Sequence, residues 1–192
     1  MPRKSNVPSN FFDEISILGI DLSRGNLFSL IGSIGGIIAI FLPWISITIP
    51  LVGRQGISLL GLSDLINTLS QLSNTFNPGS LPPYVSMFSF YWFILLGLLL
   101  VCCYFSINNI DEIGKLAHIG VGVLQIVVLI LFYIMYLEIL NELKDQMVAY
   151  DFGLGLASMV TSLLYIGYGY YVAFLCAILL IIGGIYELNE VE

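Results

Sequence analysis

The sequence has 192 residues, of which 58% are hydrophobic and only 10% are charged, and its mean hydropathy is +0.96. This composition excludes a soluble domain, in which about a quarter of the residues are charged, and indicates an integral membrane protein. The net charge of −7, from 13 acidic and 6 basic residues, and the lack of a basic cluster make nucleic-acid binding unfavourable.

The N-terminal segment, residues 1–26, is predicted to be cytoplasmic. It lacks the apolar core of a cleavable signal peptide, so the first span is expected to act as an uncleaved signal anchor. Asn10 precedes a predicted helix in which Ile15, Leu18 and Leu22 share one face, spaced to rest on the inner membrane surface.

The first predicted span covers about residues 27–44 and carries small residues at helical spacing. Gly32 and Gly36 are four residues apart, and Gly35 and Ala39 repeat that spacing one position later. Ridges of this kind let two helices approach closely enough for dispersion contacts to hold them together. We expect them to pack helices of the same chain, with packing between chains as the alternative.

The chain then changes period at Pro43 and Trp44. Residues 45–49 alternate between isoleucine and a hydroxyl side chain, which predicts a β-strand, the first of a hairpin in the outer loop, residues 45–84. Trp44 is expected at the outer membrane interface, which tryptophan prefers. Gly53–Gly56 is expected near the hairpin turn, and Ser63 with Asp64 to start a short helix.

Three further spans are predicted, at about residues 85–106, 115–138 and 169–187. The third helix is predicted to be about 30 residues long in total, or about 45 Å, and so to continue beyond its span. Because the hydrocarbon layer is only about 30 Å thick, the outer end of this helix should project from the bilayer. The second outer loop, residues 139–168, contains 158–166, which we interpret as surface structure that adds a strand; a fifth span over 152–168 is the alternative. Residues 189–192 form the predicted cytoplasmic tail, and the C-terminal end is acidic, with Glu187, Glu190 and Glu192.

The positions of the basic residues indicate a cell-membrane topology in which both termini are on the cytoplasmic side. Four of them fall on the predicted inner side and two on the outer side, despite the longer outer loops. The inner four are Arg3, Lys4, Arg24 and Lys115, and the outer two are Arg54 and Lys144.

Few side chains suggest chemistry. The three cysteines, Cys102, Cys103 and Cys176, fall in apolar spans and are interpreted as packing residues. His118, the single histidine, is expected at the membrane interface, with a proton-transfer role as the alternative. Gln125 is expected to bond to a neighbouring helix, with a transport pathway as the alternative.

The outer end of the third helix carries an acidic face, formed by Glu138, Glu142 and Asp145. We interpret it as solvated surface, with a divalent cation or a partner as the alternative. Arg54 is a second candidate for partner contact. No serine or cysteine is paired with a base, and no residues suggest a catalytic, metal or cofactor site, so an enzyme is not expected.

The chain resembles the claudin and peripheral myelin protein superfamily. The resemblance rests on Pro43-Trp44 before the hairpin, on Gly61-Leu62, and on the last span from Tyr168 with its closing Gly183-Gly184. Ser63 stands where that family has a second tryptophan, and the two loop cysteines are missing. Simple prokaryotic four-span proteins have a similar Pro-Trp and strand pattern.

The resemblance implies a membrane all-α fold, a left-handed bundle of four transmembrane helices with a small extracellular antiparallel β-sheet. It also implies a structural, adhesion or accessory role exerted through the extracellular loops. The expected partners are the lipid bilayer and another membrane protein or a second copy of the chain. The alternatives are a small channel or transporter component and a non-catalytic subunit of a membrane enzyme complex.

Overall fold

The computed structural model describes residues 14–17, 20–49, 53–62, 64, 83–108, 112–149 and 164–189. Four helices in these ranges are long and apolar enough to cross a membrane, as predicted. They are α1 (Arg24–Phe41), α2 (Pro83–Asn108), α3 (Glu112–Ala149) and α4 (Tyr168–Asn189). With 38 residues, α3 is about 57 Å long, roughly twice the thickness of the hydrocarbon layer.

Local sequence signals account for both ends of α1. The Ser23 hydroxyl accepts a hydrogen bond from the Asn26 backbone N–H at 3.2 Å, which satisfies one of the free donors in the first turn. At the other end, Pro43 cannot donate a helical hydrogen bond, and the backbone is already extended at Leu42.

The helices form a closed ring in which each packs against two others. Helix α1 packs against α2 and α4, and α3 packs against the same two helices. Small residues make the closest approaches. A Cβ atom added at Gly32 would lie 2.9 Å from the Cys176 carbonyl oxygen of α4, and one at Gly36 would lie 3.0 Å from the Leu99 side chain of α2.

One end of the bundle, the cap end, carries a three-stranded antiparallel sheet. Its strands are β3 (Pro43–Ile49), β4 (Gly53–Ser58) and β5 (Leu164–Ile166), in the order β4-β3-β5. Ile47 of β3 pairs with Gln55 on one side and Leu164 on the other. The predicted hairpin and the added strand are therefore confirmed, although of residues 158–166 only 164–166 lie within the described part.

The segment that precedes α1 differs from its prediction. It forms a two-stranded antiparallel sheet of β1 (Glu14–Ile17) and β2 (Ile20–Ser23), so the amphipathic helix predicted through Ile15 and Leu22 is wrong. Ile15 pairs with Leu22 and Ile17 with Ile20. This two-residue alternation of apolar side chains matches a strand better than a helix, and it places apolar partners directly across from each other.

The helix predicted to start at Ser63 begins earlier. Residues 59–62 are already helical, and the Ser58 hydroxyl accepts a hydrogen bond from the Gly61 N–H at 3.3 Å, as a helix-capping residue does. Leu59 and Leu62 are both buried. The capping serine is thus the one that ends strand β4, and Gly61-Leu62 lies in the first turn of this helix.

Candidate functional site

The joint between sheet and bundle is built around Trp44. Its side chain is 1% exposed, and its indole N–H donates a hydrogen bond of 2.7 Å to the Ala39 carbonyl oxygen at the end of α1. The indole contacts the Phe132 ring edge-to-face, with centroids 5.0 Å apart, and Tyr170 lies beyond at 6.1 Å. The ring therefore faces the protein interior rather than the surroundings, because the chain turns at Pro43, while the predicted level of Trp44 at the membrane interface stays a prediction.

The start of α4 completes this joint from the other side. The Gly167 N–H donates a 2.8 Å hydrogen bond to the Trp44 carbonyl oxygen, and a Cβ at Gly167 would collide with the Pro43 carbonyl. From α3, the Tyr136 hydroxyl donates to the Leu164 carbonyl oxygen at 3.0 Å. Three helices therefore hold the sheet in place.

Strand β4 presents the exposed surface of the cap end. Residues 53–56 are exposed, and Gly53 has a φ of +95°, a conformation that favours glycine. Arg54 lies near the turn end of the hairpin, as predicted, in strand β4, where it pairs with Thr48. Its guanidinium stacks 4.2 Å above the Tyr165 ring of β5. Because Thr48 of β3 donates a hydrogen bond to the Tyr165 hydroxyl at 3.2 Å, side chains of all three strands meet on this face.

The acidic face of α3 lies partly outside the described side chains. Glu138 is exposed, whereas for Glu142 and Asp145 only the helical backbone is described. Within the described residues, no three His, Cys, Asp or Glu side chains converge as a metal site would require. The cation alternative therefore stays a prediction.

At the opposite end, the base end, the bundle encloses a cluster of polar groups to which all four helices contribute. The polar cluster consists of Ser29 of α1, Ser106 and the Cys102 carbonyl of α2, His118 of α3 and Glu187 of α4. Each of these five residues is at most 4% exposed, and four of them are hydrogen-bonded through their side chains.

The cluster is connected by short hydrogen bonds centred on His118 and Glu187. The Ser29 hydroxyl donates to Glu187 Oε1 at 2.9 Å, and His118 Nδ1 lies 3.1 Å from Glu187 Oε2. His118 Nε2 lies 3.1 Å from both the Ser106 hydroxyl and the Cys102 carbonyl oxygen. Ser106 itself donates to the Cys102 carbonyl at 2.9 Å, one helical turn earlier.

The pattern of donors and acceptors favours a hydrogen on Nε2. A carbonyl oxygen can only accept, so the 3.1 Å contact between Nε2 and the Cys102 carbonyl is a hydrogen bond only when Nε2 carries a hydrogen. The Ser106 hydroxyl can then accept from Nε2–H while donating its own hydrogen to Cys102. His118 is therefore a donor on the side that faces α2.

Ser106, His118 and Glu187 are connected in the order of a nucleophile, base and acid triad. This contradicts the prediction that no serine is paired with a base, which failed because the three residues are distant in sequence. However, a base must accept a proton from the serine, which Nε2 does not do while it donates to the Cys102 carbonyl. Ser106 is also completely buried, so the geometry does not favour nucleophilic catalysis.

Glycines make room for this cluster. A Cβ at Gly25 would lie 2.5 Å from Cγ of Glu187, and one at Gly183 would collide with the Ser29 hydroxyl. A Cβ at Gly184 would lie 2.9 Å from the Lys115 carbonyl oxygen of α3. The Gly183-Gly184 pair thus brings α4 against two helices at once.

Gln125 lies deeper in the bundle, two helical turns from His118. As predicted, it bonds to a neighbouring helix, because its Nε2 donates to the Ala173 carbonyl oxygen of α4 at 3.0 Å. Its Oε1 has no hydrogen-bond partner among the described residues. Around it the interior is filled by large apolar side chains, including Leu129, Phe132 and Leu180.

Two sequence interpretations are corrected by the polar cluster. His118 was expected at the membrane interface and Glu187 in the acidic tail, whereas the structure buries both, at 1% and 4% exposure, and places them 3.1 Å apart. The sequence contained one sign that Glu187 is buried. Glu187 follows Gly183 by one helical turn, and a glycine leaves space beside a buried side chain. This sign did not identify the partner on another helix.

No protein-family model matches the sequence, and no curated protein or solved structure shows significant similarity to it.

Proposed function

We propose that the protein is a claudin-like tetraspan of the cell membrane that acts as a structural, adhesion or accessory protein through its cap end. The proposal rests above all on one observation, the fixed cap sheet that carries an exposed strand. In this proposal the cap end is extracellular, both termini are cytoplasmic, and the partner is another membrane protein or a second copy.

The construction of the cap end supports a role in contact. A surface that binds a partner gains affinity when it is already ordered, since less conformational entropy is then lost on binding. The joint at Trp44 and Gly167 orders the sheet before any partner arrives. Strand β4 is at the edge of the described sheet, with residues 53–56 exposed, and an edge strand offers backbone donors and acceptors to another chain.

The bundle interior gives less support to transport. Polar side chains that mark a pathway usually face a water-filled cavity. Here Gln125 is completely buried among apolar residues, and the polar cluster at the base end is hydrogen-bonded within itself. The described interior therefore favours a scaffold over a channel.

Site-specific photocrosslinking in intact membranes tests the proposed role. A photoreactive amino acid at Gln55, exposed on β4, should yield a protein adduct that mass spectrometry identifies as a partner or a second copy. The matched control is the same amino acid at Ile94, which is 59% exposed on α2 and should react with lipid. If Gln55 yields only lipid adducts, as Ile94 does, the proposed contact role is wrong.

Thiol labelling tests the proposed orientation. The native cysteines all lie in α2 and α4, so Arg54→Cys introduces a thiol on the cap end, where none is present among the described residues. A membrane-impermeant maleimide should label it in intact cells, whereas Asn189→Cys, at the end of α4, should be labelled only after permeabilisation. The reverse pattern would place the sheet in the cytoplasm.

A further inference from the structure

The base end holds two ionisable side chains that the proposed contact role does not use. His118 and Glu187 are buried between α1, α2, α3 and α4, and both oxygens of Glu187 and both ring nitrogens of His118 have partners. Burying a single unpaired charge is strongly unfavourable, so the pair is expected to be neutral overall.

The position of the hydrogens follows from the donors and acceptors around the pair. Nε2 carries a hydrogen because it faces the Cys102 carbonyl oxygen. Nδ1 and Oε2 face each other at 3.1 Å, and without a hydrogen between them two lone pairs would repel. The Ser29 hydroxyl already donates to Oε1, which leaves Oε2 for His118.

We propose that His118 and Glu187 form a proton-binding site that holds one proton between Nδ1 and Oε2 and thereby closes the base end of the bundle. The proton is shared within one hydrogen bond, either as imidazolium with carboxylate or as imidazole with carboxylic acid. Moving it from one atom to the other leaves the net charge of the pair at zero. Removing it would leave a buried carboxylate facing a lone pair.

The groups that form hydrogen bonds with the pair are neutral hydroxyl and carbonyl groups. Cys102 and Ser106 of α2 present a carbonyl and a hydroxyl to Nε2, and Ser29 of α1 presents a hydroxyl to Glu187. The other ionisable side chains described near this end are Arg24 on α1, Cys102, Cys103 and Tyr104 on α2, Lys115 on α3 and Tyr186 on α4. Arg24 is exposed and Lys115 half-buried.

Glu187→Gln is the most informative substitution. A glutamine can accept from Ser29 with its carbonyl oxygen and donate from its amide nitrogen to Nδ1, so every hydrogen bond is kept without the extra proton. This variant should fold, with His118 as neutral imidazole protonated only on Nε2. Glu187→Leu, by contrast, leaves Nδ1 and Ser29 without their partner.

Because His118 is the single histidine, one imidazole reports on the site. Nitrogen NMR of histidine-labelled full-length protein in bilayers at neutral pH should show hydrogen on Nε2. If the pair is imidazolium with carboxylate, Nδ1 is also protonated and loses its proton in Glu187→Gln. If the pair is imidazole with carboxylic acid, an infrared band of a protonated carboxyl is present and disappears in that variant. The control is Glu138→Gln, which changes an exposed acidic residue of α3, the helix that carries His118. This variant should alter neither signal.

Two results would overturn the proton site. One is a wild-type protein with an unprotonated Nδ1 and no carboxyl band that depends on Glu187. The other is a histidine protonated on Nδ1 alone. Both would mean that the pair holds no proton beyond that of a neutral imidazole.

Labelling of the native Cys102 thiol tests closure of the base end separately. Cys102 is completely buried beside the cluster, so it should react slowly with a maleimide in wild-type protein and in Glu187→Gln. In Glu187→Leu the rate should rise at least tenfold, with Cys176 deeper in the bundle as the internal reference. A Glu187→Leu protein as protected as wild type, or a Glu187→Gln protein as reactive as Glu187→Leu, would overturn the closure.

Discussion

Substitution of Trp44 measures how firmly the cap sheet is held on the bundle. In Trp44→Ala the whole indole is lost from a site that is 1% exposed and bounded by Phe132 and Tyr170. Removing a buried aromatic side chain costs about 3–5 kcal/mol of the free energy of unfolding, because contacts are lost and the cavity collapses only in part.

Trp44→Phe separates the hydrogen bond from the packing. Phenylalanine keeps most of the apolar ring but loses the N–H that donates to the Ala39 carbonyl. That oxygen also accepts from the Leu42 N–H at 3.2 Å, so it does not become an unsatisfied acceptor. The expected cost is therefore only about 1 kcal/mol, the usual net value of a hydrogen bond.

The assay is unfolding of the full chain in mixed micelles by increasing denaturing detergent, followed by circular dichroism. The control is Phe41→Ala, which removes an aromatic ring that is 58% exposed at the end of α1 and should cost much less than Trp44→Ala. The chain has two tryptophans, so Trp92→Phe leaves the fluorescence of Trp44 alone. The buried joint is refuted if Trp44→Ala costs no more than Phe41→Ala, or if aqueous acrylamide quenches Trp44 freely.

Three further substitutions test the bundle, each by the same unfolding assay. Glu187→Leu should cost about 3 kcal/mol because it removes one partner of a buried pair, whereas Glu187→Gln should cost much less; equal losses would contradict the hydrogen-bond pattern. Gly183→Ala should cost about 1–3 kcal/mol, because its Cβ would lie 2.8 Å from the Gly25 carbonyl oxygen and force α1 and α4 apart; an unchanged midpoint would argue against that close approach. Gln125→Leu should change stability by less than about 1 kcal/mol, since it removes one hydrogen bond together with an unpartnered oxygen; a large loss would point to an unseen partner of Oε1.

The elements that the sequence predicts well are those with a long local pattern. An uncharged apolar run long enough to cross a bilayer indicates a span wherever it occurs, and the alternation from Ile45 to Ile49 indicates a strand without reference to its neighbours. The type of a short element is harder to predict, because a few residues can match both a helical and a strand period. The pattern before α1 fits two periods over a few residues, and the pairing of Ile15 with Leu22 resolved it in favour of strands.

The polar cluster was not predictable in the same way. Hydropathy places His118 near the end of one span and Glu187 near the end of another, 69 residues apart along the chain. From the sequence, both positions are compatible with water at the membrane surface. Only the packing of α3 against α4, with α1 brought close by Gly25 and Gly183, encloses them together.

The burial of Trp44 was not predictable from the sequence for the same reason, because it depends on residues of other helices. Tryptophan at the end of a span usually lies at the membrane interface, and nothing in the neighbouring residues contradicts that expectation. The burial of its indole depends on Phe132 and Tyr170, which come from two other helices.

By itself the sequence determined the four helices of the described residues that are long and apolar enough to cross a membrane, and the hairpin after the first, because hydrophobic length and residue period are properties of each segment alone. The tertiary structure decided which polar side chains are buried and with which partners they share hydrogen bonds. The physical reason is that a buried charge or hydroxyl is tolerated only where groups on other helices meet it, and that meeting depends on how the four helices pack.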